Sequence, residues 1–416
     1  MEKADDAPWL RDLFAGDVTA LGRSFPFAAA MRATPQDPVH HAEGDVWTHT
    51  GMVMTEAMRI AEARGVAGSW RGATLMMAAL IHDCAKPETT EIFWCEKEGR
   101  ERVRQPNHAA IGADKGWRLL LDADAPLMMA REACEMTAWH QRPGHMLDER
   151  GTDGRIAQYA VTGNSWSGLL DLCRADQLGR ICGDTPDVLA ALDLIEEAAR
   201  GLGERLGADL LGGDPDFWTA ESRVRIGEDR KVSAFHEHRD PEGPLLIVTS
   251  GLPGSGKSTW RRERAERTGA VVISMDEIRR GIKGWRDTDE QRGRVRQEAS
   301  AALREALARG EREIVWDATS LTRDSRARVL RVGRDYGART AIVSFDVPAG
   351  VAGARNRARD EEDRVPEAVM ARMAGSRQMT RAHEAHDVIS VSPEGREVTL
   401  HGEPLPGEAA VPAPSP

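Results

Sequence analysis

The stretch LLIVTSGLPGSGKSTW runs from Leu245 to Trp260 of a 416-residue chain. Leu245–Val248 is a short apolar run rich in branched residues and reads as a buried parallel strand. Gly251 to Ser258 then matches G-x-x-x-x-G-K-[ST] in full, in the strand–loop–helix context the pattern requires. Gly251, Gly254 and Gly256 let the backbone turn tightly and aim its N–H groups inward, and such a nest at a helix N-terminus attracts phosphate. Lys257 adds a point charge for the β- and γ-phosphates, the Ser258 hydroxyl is a ligand for Mg²⁺, and Ser255 and Thr259 belong to the same cradle. The stretch therefore predicts binding of ATP, or another nucleoside triphosphate, together with Mg²⁺.

After the loop, short apolar runs alternate with helical segments: AVVIS, QEASAALREALARG, EIVWDAT, TRDSRARVLRVGRDYG and RTAIVSFDVP. This alternation predicts an α/β domain with a parallel sheet. Ahead of it, HTGMVMTEAMRIAEARG, ATLMMAALIHDCAK and APLMMAREACEMTAWH carry apolar residues at helical spacing, with no strand-like alternation of comparable length. The expected fold is multidomain. An all-α N-terminal domain spans 1–205, with its core over 40–185, and a charged linker or small subdomain spans 206–243. An α/β P-loop domain spans 244–393, and a flexible Pro-rich tail spans 394–416.

A net charge of −11 argues against a general nucleic-acid binder. Residues 244–390 nonetheless carry about 28 Lys and Arg against about 22 Asp and Glu, nearly all the cations being arginine. Guanidinium forks suit phosphate ligands. No apolar run nears the ~20 residues that span a bilayer, and the acidic start MEKADDAPWLRDLF lacks a signal-peptide core. Five cysteines without C-x-x-C spacing read as reduced thiols. A cytoplasmic protein without a membrane partner is expected.

Two features narrow the acceptor of the P-loop domain. The second strand ends VVISMDEIRR, so Asp276 falls beyond a carboxyl strand end, where ligands of open α/β sheets sit. A carboxylate there can orient a hydroxyl and take its proton. Arg279 lies three residues on, so a helix starting here places both on one face. The third strand, EIVWDATSLTRDSR, delivers Asp317 and Thr319 to the same edge, and VAGARNRARDEEDR puts Arg355 and Arg359 four apart, as on one face of a lid helix. The phrases GLPGSGKSTW, SMDEIRR, VWDATSLTRDSR and GARNRARDEEDRVPEAVMARM resemble the kinase module of polynucleotide 5′-kinases of the phage and bacterial RNA-repair type, over about 245–380. The resemblance implies Lys257 and Ser258 on ATP and Mg²⁺ and Asp276 as general base for a 5′-hydroxyl. It further implies Arg279 on the acceptor's phosphate, Asp317 touching substrate or orienting Arg279, and Arg355 and Arg359 as lid arginines.

In the front half, AALIHDCAKP sets His82 and Asp83 together at the end of an apolar helix. His49 (DVWTHTGMV), His108 (PNHAAIGADKGW), His140 (TAWHQRPGH) and Asp176 (LLDLCRADQLGR) each fall at or near the end of a helical segment. Imidazole and carboxylate suit Mn²⁺, Fe²⁺, Co²⁺, Ni²⁺ or Zn²⁺. A helix bundle can project them into one cavity, around two metals with Asp83 bridging, or around one metal with substrate-facing imidazoles. The pattern H…HD…H…H…D resembles the HD phosphohydrolase superfamily over about 40–185, closest to the HD modules attached to tRNA nucleotidyltransferases and related phosphodiesterases. The resemblance implies His49, His82, Asp83 and Asp176 as core ligands. It gives His108 and His140 to a second metal or to phosphate, with His145 as the competing choice for His140, and Lys86 to a substrate phosphate. Some relatives have a His–His pair where this chain has His140–Gln141. His40, His41, His236 and His238 read as surface or linker residues.

The two modules in one chain resemble the HD-Pnk family of bacterial end-healing enzymes. That resemblance implies phosphorylation of 5′-hydroxyl ends and removal of 2′,3′-cyclic, 2′- or 3′-phosphate, with RNA or DNA ends as substrates and a polynucleotide ligase as partner. The alternative is a small-molecule or nucleoside kinase fused to an HD nucleotidase or regulatory HD module.

Overall fold

Three short helices, α1 (Pro8–Phe14), α2 (Val18–Ser24) and α3 (Phe27–Arg32), open the N-terminal half in a computed structural model that describes residues 8–147, 151–213 and 217–406. Helix α4 (Val46–Ala63) begins where the Asp45 carboxylate accepts from the N–H groups of Trp47 and Thr48, each at 2.9 Å. Helix α5 (Trp70–Ile81), capped by Ser69, is buried at every position from Gly72 to Ile81. A helix apolar all round belongs in a core, and α5 packs against α4 and against later helices of the same unit. After the short α6 (Lys86–Thr89) come α7 (His108–Asp122), α8 (Leu127–Trp139), α9 (Thr152–Ala160), α10 (Trp166–Leu178) and α11 (Thr185–Leu206).

Between α6 and α7 lies an antiparallel hairpin that helical periodicity does not announce, β1 (Glu91–Cys95) with β2 (Arg100–Arg104). EIFWC has the branched and aromatic residues of a strand, and Gly99, at φ +63°, closes the turn. Arg100 reaches Asp37 at 3.1 Å and ties the hairpin to the body of the helices.

The chain divides into two compact units between Phe217 and Trp218. Helix α12 (Ala220–Glu228) packs within the second unit: Glu221 accepts from His386 Nε2 at 2.7 Å, and Arg223 donates to the His386 carbonyl. Next in the chain come β3 (Leu245–Ser250), α13 (Lys257–Thr268), β4 (Val271–Ser274), α14 (Met275–Gly281), α15 (Asp289–Ala308), β5 (Glu313–Asp317), α16 (Arg323–Asp335), β6 (Arg339–Phe345), α17 (Ala349–Arg357), α18 (Glu367–Ser376), β7 (Asp387–Val391) and β8 (Glu397–His401). The sheet order is β4-β5-β3-β6-β7-β8, parallel through β7. Ser274 stands opposite Asp317, so the carboxyl ends of β4 and β5 open beside the loop that leaves β3. The core joins Ile247, Val315, Val343, Phe345 and Ile389 from the strands to Trp260 and Leu405.

The expected end of this domain at 393 is too early. Strand β8 pairs antiparallel with β7, Trp260 Nε1 donates to Glu397 at 2.6 Å, and Leu405 is buried. The prolines and charges of 394–406 hid an edge strand: β8 is half-exposed at every position except the buried Leu400. The rest of the expected tail, 407–416, lies outside the described residues.

Candidate metal centre and nucleotide site

In the first unit α4, α5, α7, α8 and α10 converge their ends on Asp83. His82 and His140 are the residues that close α5 and α8, His108 opens α7, His49 lies in the first turn of α4 and Asp176 in the last turn of α10. All six are buried. Asp83 Oδ2 lies 3.2 Å from His82 Nε2 and 3.7 Å from His49 Nε2. Asp176 Oδ1 lies 3.0 Å from His49 Nε2 and 4.0 Å from His82 Nε2. On the other side, Asp83 Oδ1 lies 3.3 Å from His108 Nε2 and 3.9 Å from His140 Nε2. Asp83 thus divides the cluster into two halves.

The tautomers are set from outside. Nδ1 of His82 donates to the carbonyl of Ala79 at 2.8 Å, that of His108 to Gln105 at 2.7 Å, and that of His140 to Thr137 at 2.7 Å. With Nδ1 protonated, each Nε2 presents a lone pair. The Nε2 atoms of His82, His108 and His140 are buried with no hydrogen-bond partner. An orphaned buried acceptor costs free energy, and three aimed at one carboxylate fit a divalent metal.

Burial alone would raise Asp83 and Asp176. Instead His82 and Lys86 hold Asp83 well below the usual carboxylate range, and Arg180 with His49 does the same for Asp176. Burial pushes His140 down to about 3. Lys86 is buried, its Nζ 2.7 Å from Asp83 Oδ2 and 2.6 Å from Gln36 Oε1. Its ammonium thus bridges Asp83 and Gln36. His145 is exposed on a 3₁₀ turn, outside the cluster that holds His140, and Gln141 is exposed as well.

In the second unit the P-loop has the expected form. Gly254 and Gly256 take φ +84° and +105°. A Cβ on Gly254 would stand 2.4 Å from the Ala352 carbonyl oxygen, so the loop passes directly against α17. Gly251 N–H donates to the Thr319 carbonyl at 2.9 Å, which pins the loop to the strand edge after β5. Lys257 is buried, with Nζ 2.8 Å from the carbonyl oxygens of Gly251 and Leu252 and 3.4 Å from Ser255 Oγ. Burial lowers its pKa to about 8, with the charges of Asp317 and Asp276 opposing and that of Arg359 assisting. Ser258 and Thr259 are exposed at the start of α13.

Asp276 and Arg279 sit one turn apart on α14, 2.9 Å between Oδ1 and Nη2, and both are exposed. Asp317 does not hold Arg279. Its Oδ2 lies 2.8 Å from Arg261 Nε and accepts from Ser274 Oγ at 3.1 Å, and burial raises its pKa. Arg355 and Arg359 do not share a helical face: α17 stops at Arg357. Asn356 exchanges two hydrogen bonds with the Val365 backbone and folds the chain back there. Arg355 donates to the Pro393 carbonyl at 2.7 Å, whereas the charge of Arg359 acts on Lys257.

Several groups at these sites went unread in the sequence. His41, expected on the surface, is 9% exposed, and its Nδ1 donates to Glu43 at 2.8 Å. Glu43 Oε1 also lies 3.0 Å from His49 Nδ1, which hydrogen-bonds the Gly179 carbonyl at 3.2 Å. Arg180 pairs with Asp176, and Arg261 with Asp317 and Glu277. Arginines and glutamates are too common here for any one to carry a signal; only Arg180 had one, four residues after Asp176 on a helical pattern.

Comparison with known proteins agrees with this division. An HD domain model matches residues 46–178 and an AAA domain model residues 246–380. Among curated proteins, the multifunctional CCA protein of Methylococcus capsulatus is 34% identical over 239 residues, covering 55% of this chain and 52% of its own length. That of Halorhodospira halophila is 31% identical over 134 residues, covering 32% of this chain and 28% of its own. The chain thus spans about half or less of the length of these relatives. Among solved structures, a gluconokinase from Sinorhizobium meliloti has 22% identity and TM-score 0.27, covering 37% of this chain and 84% of that one. The Pnkp1/Rnl/Hen1 RNA repair complex has 22% identity and TM-score 0.30, covering 36% and 52%. The chain joins an HD-domain module to a P-loop module of the AAA-domain, kinase-like type.

Proposed function

We propose that this protein heals broken polynucleotide ends, with each unit treating the opposite terminus. The observation that carries the reading is the pairing in one chain of the Asp83 cluster with a P-loop whose mouth bears Asp276 and Arg279. Both are suited to phosphoryl chemistry, and their residues fall in the order of the end-healing motifs.

In the P-loop unit, the loop N–H groups and Lys257 hold the phosphates of ATP, and Ser258 takes Mg²⁺. Asp276 accepts the proton of a 5′-hydroxyl as that oxygen attacks the γ-phosphorus, the bond to the β–γ bridging oxygen breaks and ADP leaves. Arg279 holds the acceptor's own phosphate while orienting Asp276. Asp317 acts through Arg261 and Ser274. Arg359 adds positive charge toward Lys257 and the transferring group, and Arg355 braces the segment at Pro393.

In the HD unit, His49, His82, Asp83, His108, His140 and Asp176 hold one or two divalent ions of the Mn²⁺, Ni²⁺, Co²⁺, Fe²⁺ or Zn²⁺ class. Such an ion, when bound, polarises a phosphoryl oxygen and lowers the pKa of water. Burial keeps these donors dry, and Lys86 steadies Asp83. The substrate is a 2′,3′-cyclic phosphate or a 2′- or 3′-phosphate. Products with 3′-hydroxyl and 5′-phosphate suit a polynucleotide ligase in the cytoplasm.

The test uses γ-labelled ATP with a 5′-hydroxyl oligoribonucleotide, and separately an oligonucleotide ending in 2′,3′-cyclic phosphate plus Mn²⁺ or Ni²⁺. Label on the 5′ end and a new 3′-hydroxyl are expected. Transfer of label only to nucleosides or sugars would replace this reading with the small-molecule kinase one.

A further inference from the structure

The four imidazoles of the HD cluster are not held alike. All four Nδ1 atoms hydrogen-bond a backbone carbonyl, His49 that of Gly179 at 3.2 Å, but His49 Nδ1 also has the Glu43 carboxylate beside it, with Oε1 at 3.0 Å. Glu43 is itself fixed: one oxygen also accepts from His41 Nδ1 at 2.8 Å and the other from the Ile181 N–H at 3.0 Å. Its side chain is 1% exposed. A carboxylate behind a ligating imidazole orients the ring and raises its basicity more than a neutral carbonyl does.

The two halves also differ in donors. The half on Asp83 Oδ2 offers His49, His82 and Asp176 besides Asp83. Among the described residues, the half on Oδ1 offers His108 and His140 besides Asp83. Lys86 and Arg180 touch the carboxylates of the first half, so the difference rests on the number and basicity of donors, not on net charge.

We infer that Glu43 is a positioning residue that makes the His49–His82–Asp176 side the tighter of two unequal metal positions, leaving the His108–His140 side the exchangeable one. This rests on the metal-dependent reading of the HD unit. The substrate phosphate would then be met on the His108–His140 side, where fewer protein donors stand.

The experiment is a titration of the full chain, stripped with chelator and dialysed, with Co²⁺ alone, followed by visible absorption and by metal content after gel filtration. Wild type is expected to fill in two phases. Glu43→Gln should weaken the tighter phase by about 10–100-fold and leave the weaker phase in place, which also certifies that the unit is folded. His108→Ala should delete only the weaker phase. Glu62→Gln, at an exposed carboxylate in the last turn of α4, should leave both phases near wild type. Equal weakening of both phases by Glu43→Gln, no weakening at all, or the same loss in Glu62→Gln overturns the inference while leaving metal dependence of the unit intact. Absence of any Co²⁺ binding by the wild type overturns the metal reading itself.

Discussion

His82, His108 and His140 share one local device: each Nδ1 donates to the carbonyl three residues earlier. The ring direction is thus set by local backbone, and only the meeting point of the Nε2 atoms is tertiary. Asp83 sits at that point, so Asp83→Ala should abolish 3′-end processing and lower bound metal in elemental analysis, with 5′ phosphorylation retained. Lys257 carries a different liability. In the unfolded chain its pKa is near the ordinary 10.5, and in the folded chain about 8. The folded state therefore binds fewer protons between these values, and this group makes stability rise with pH from about 8 to 10.5. Phosphate binding runs the opposite way because it requires the ammonium. Nucleotide affinity, followed by fluorescence titration, should fall above pH ~8, by at most about tenfold per pH unit, and Lys257→Arg should remove that inflection.

Two close approaches fix where the helices place these side chains. A Cβ on Gly254 meets the Ala352 carbonyl at 2.4 Å in a left-handed backbone conformation. Gly254→Ala should displace the loop from α17 at a cost of about 1–3 kcal/mol, lowering nucleotide affinity while Co²⁺ uptake by the other unit stays unchanged. Gly179 closes α10, and a Cβ there meets the Val53 backbone nitrogen of α4 at 2.8 Å. That contact brings Asp176 to His49. Gly179→Ala should separate the two helices at a cost of about 1–3 kcal/mol, seen as a lower unfolding temperature of the HD unit and weaker metal retention. The helices themselves were readable from their apolar period; the side-chain caps at Asp45, Ser69 and Ser165 come from the structure. The β1–β2 hairpin and β8 were not, because half-exposed strands with charged faces lack a clean alternation of apolar residues.

Each unit has its own core and its own candidate site. Calorimetry of the intact chain should resolve two transitions rather than one. Mg²⁺ and ATP at about 100 times Kd should raise one of them, by about 2.7 kcal/mol of stabilisation, and Co²⁺ should raise the other. A single transition shifted by both would show that the units fold as one. Among the described residues no helix is long and apolar enough to cross a membrane, and all five cysteines are free.

The sequence by itself determined the two modules, the P-loop and four of the clustered side chains, His49, His82, Asp83 and Asp176, because those are carried by local pattern: glycines within one loop, an HD pair at a helix end, an imidazole and a carboxylate at helix boundaries. Only the tertiary structure decided what those spacings do not contain. It chose His140 over His145, turned Lys86 and Arg355 onto protein partners, gave Asp317 to Arg261, and set buried Glu43 and His41 behind His49. Each of those outcomes depends on which side chain lies across a packed interface. Sequence distance does not encode that, since either member of such a pair would look equally ordinary on a solvated surface.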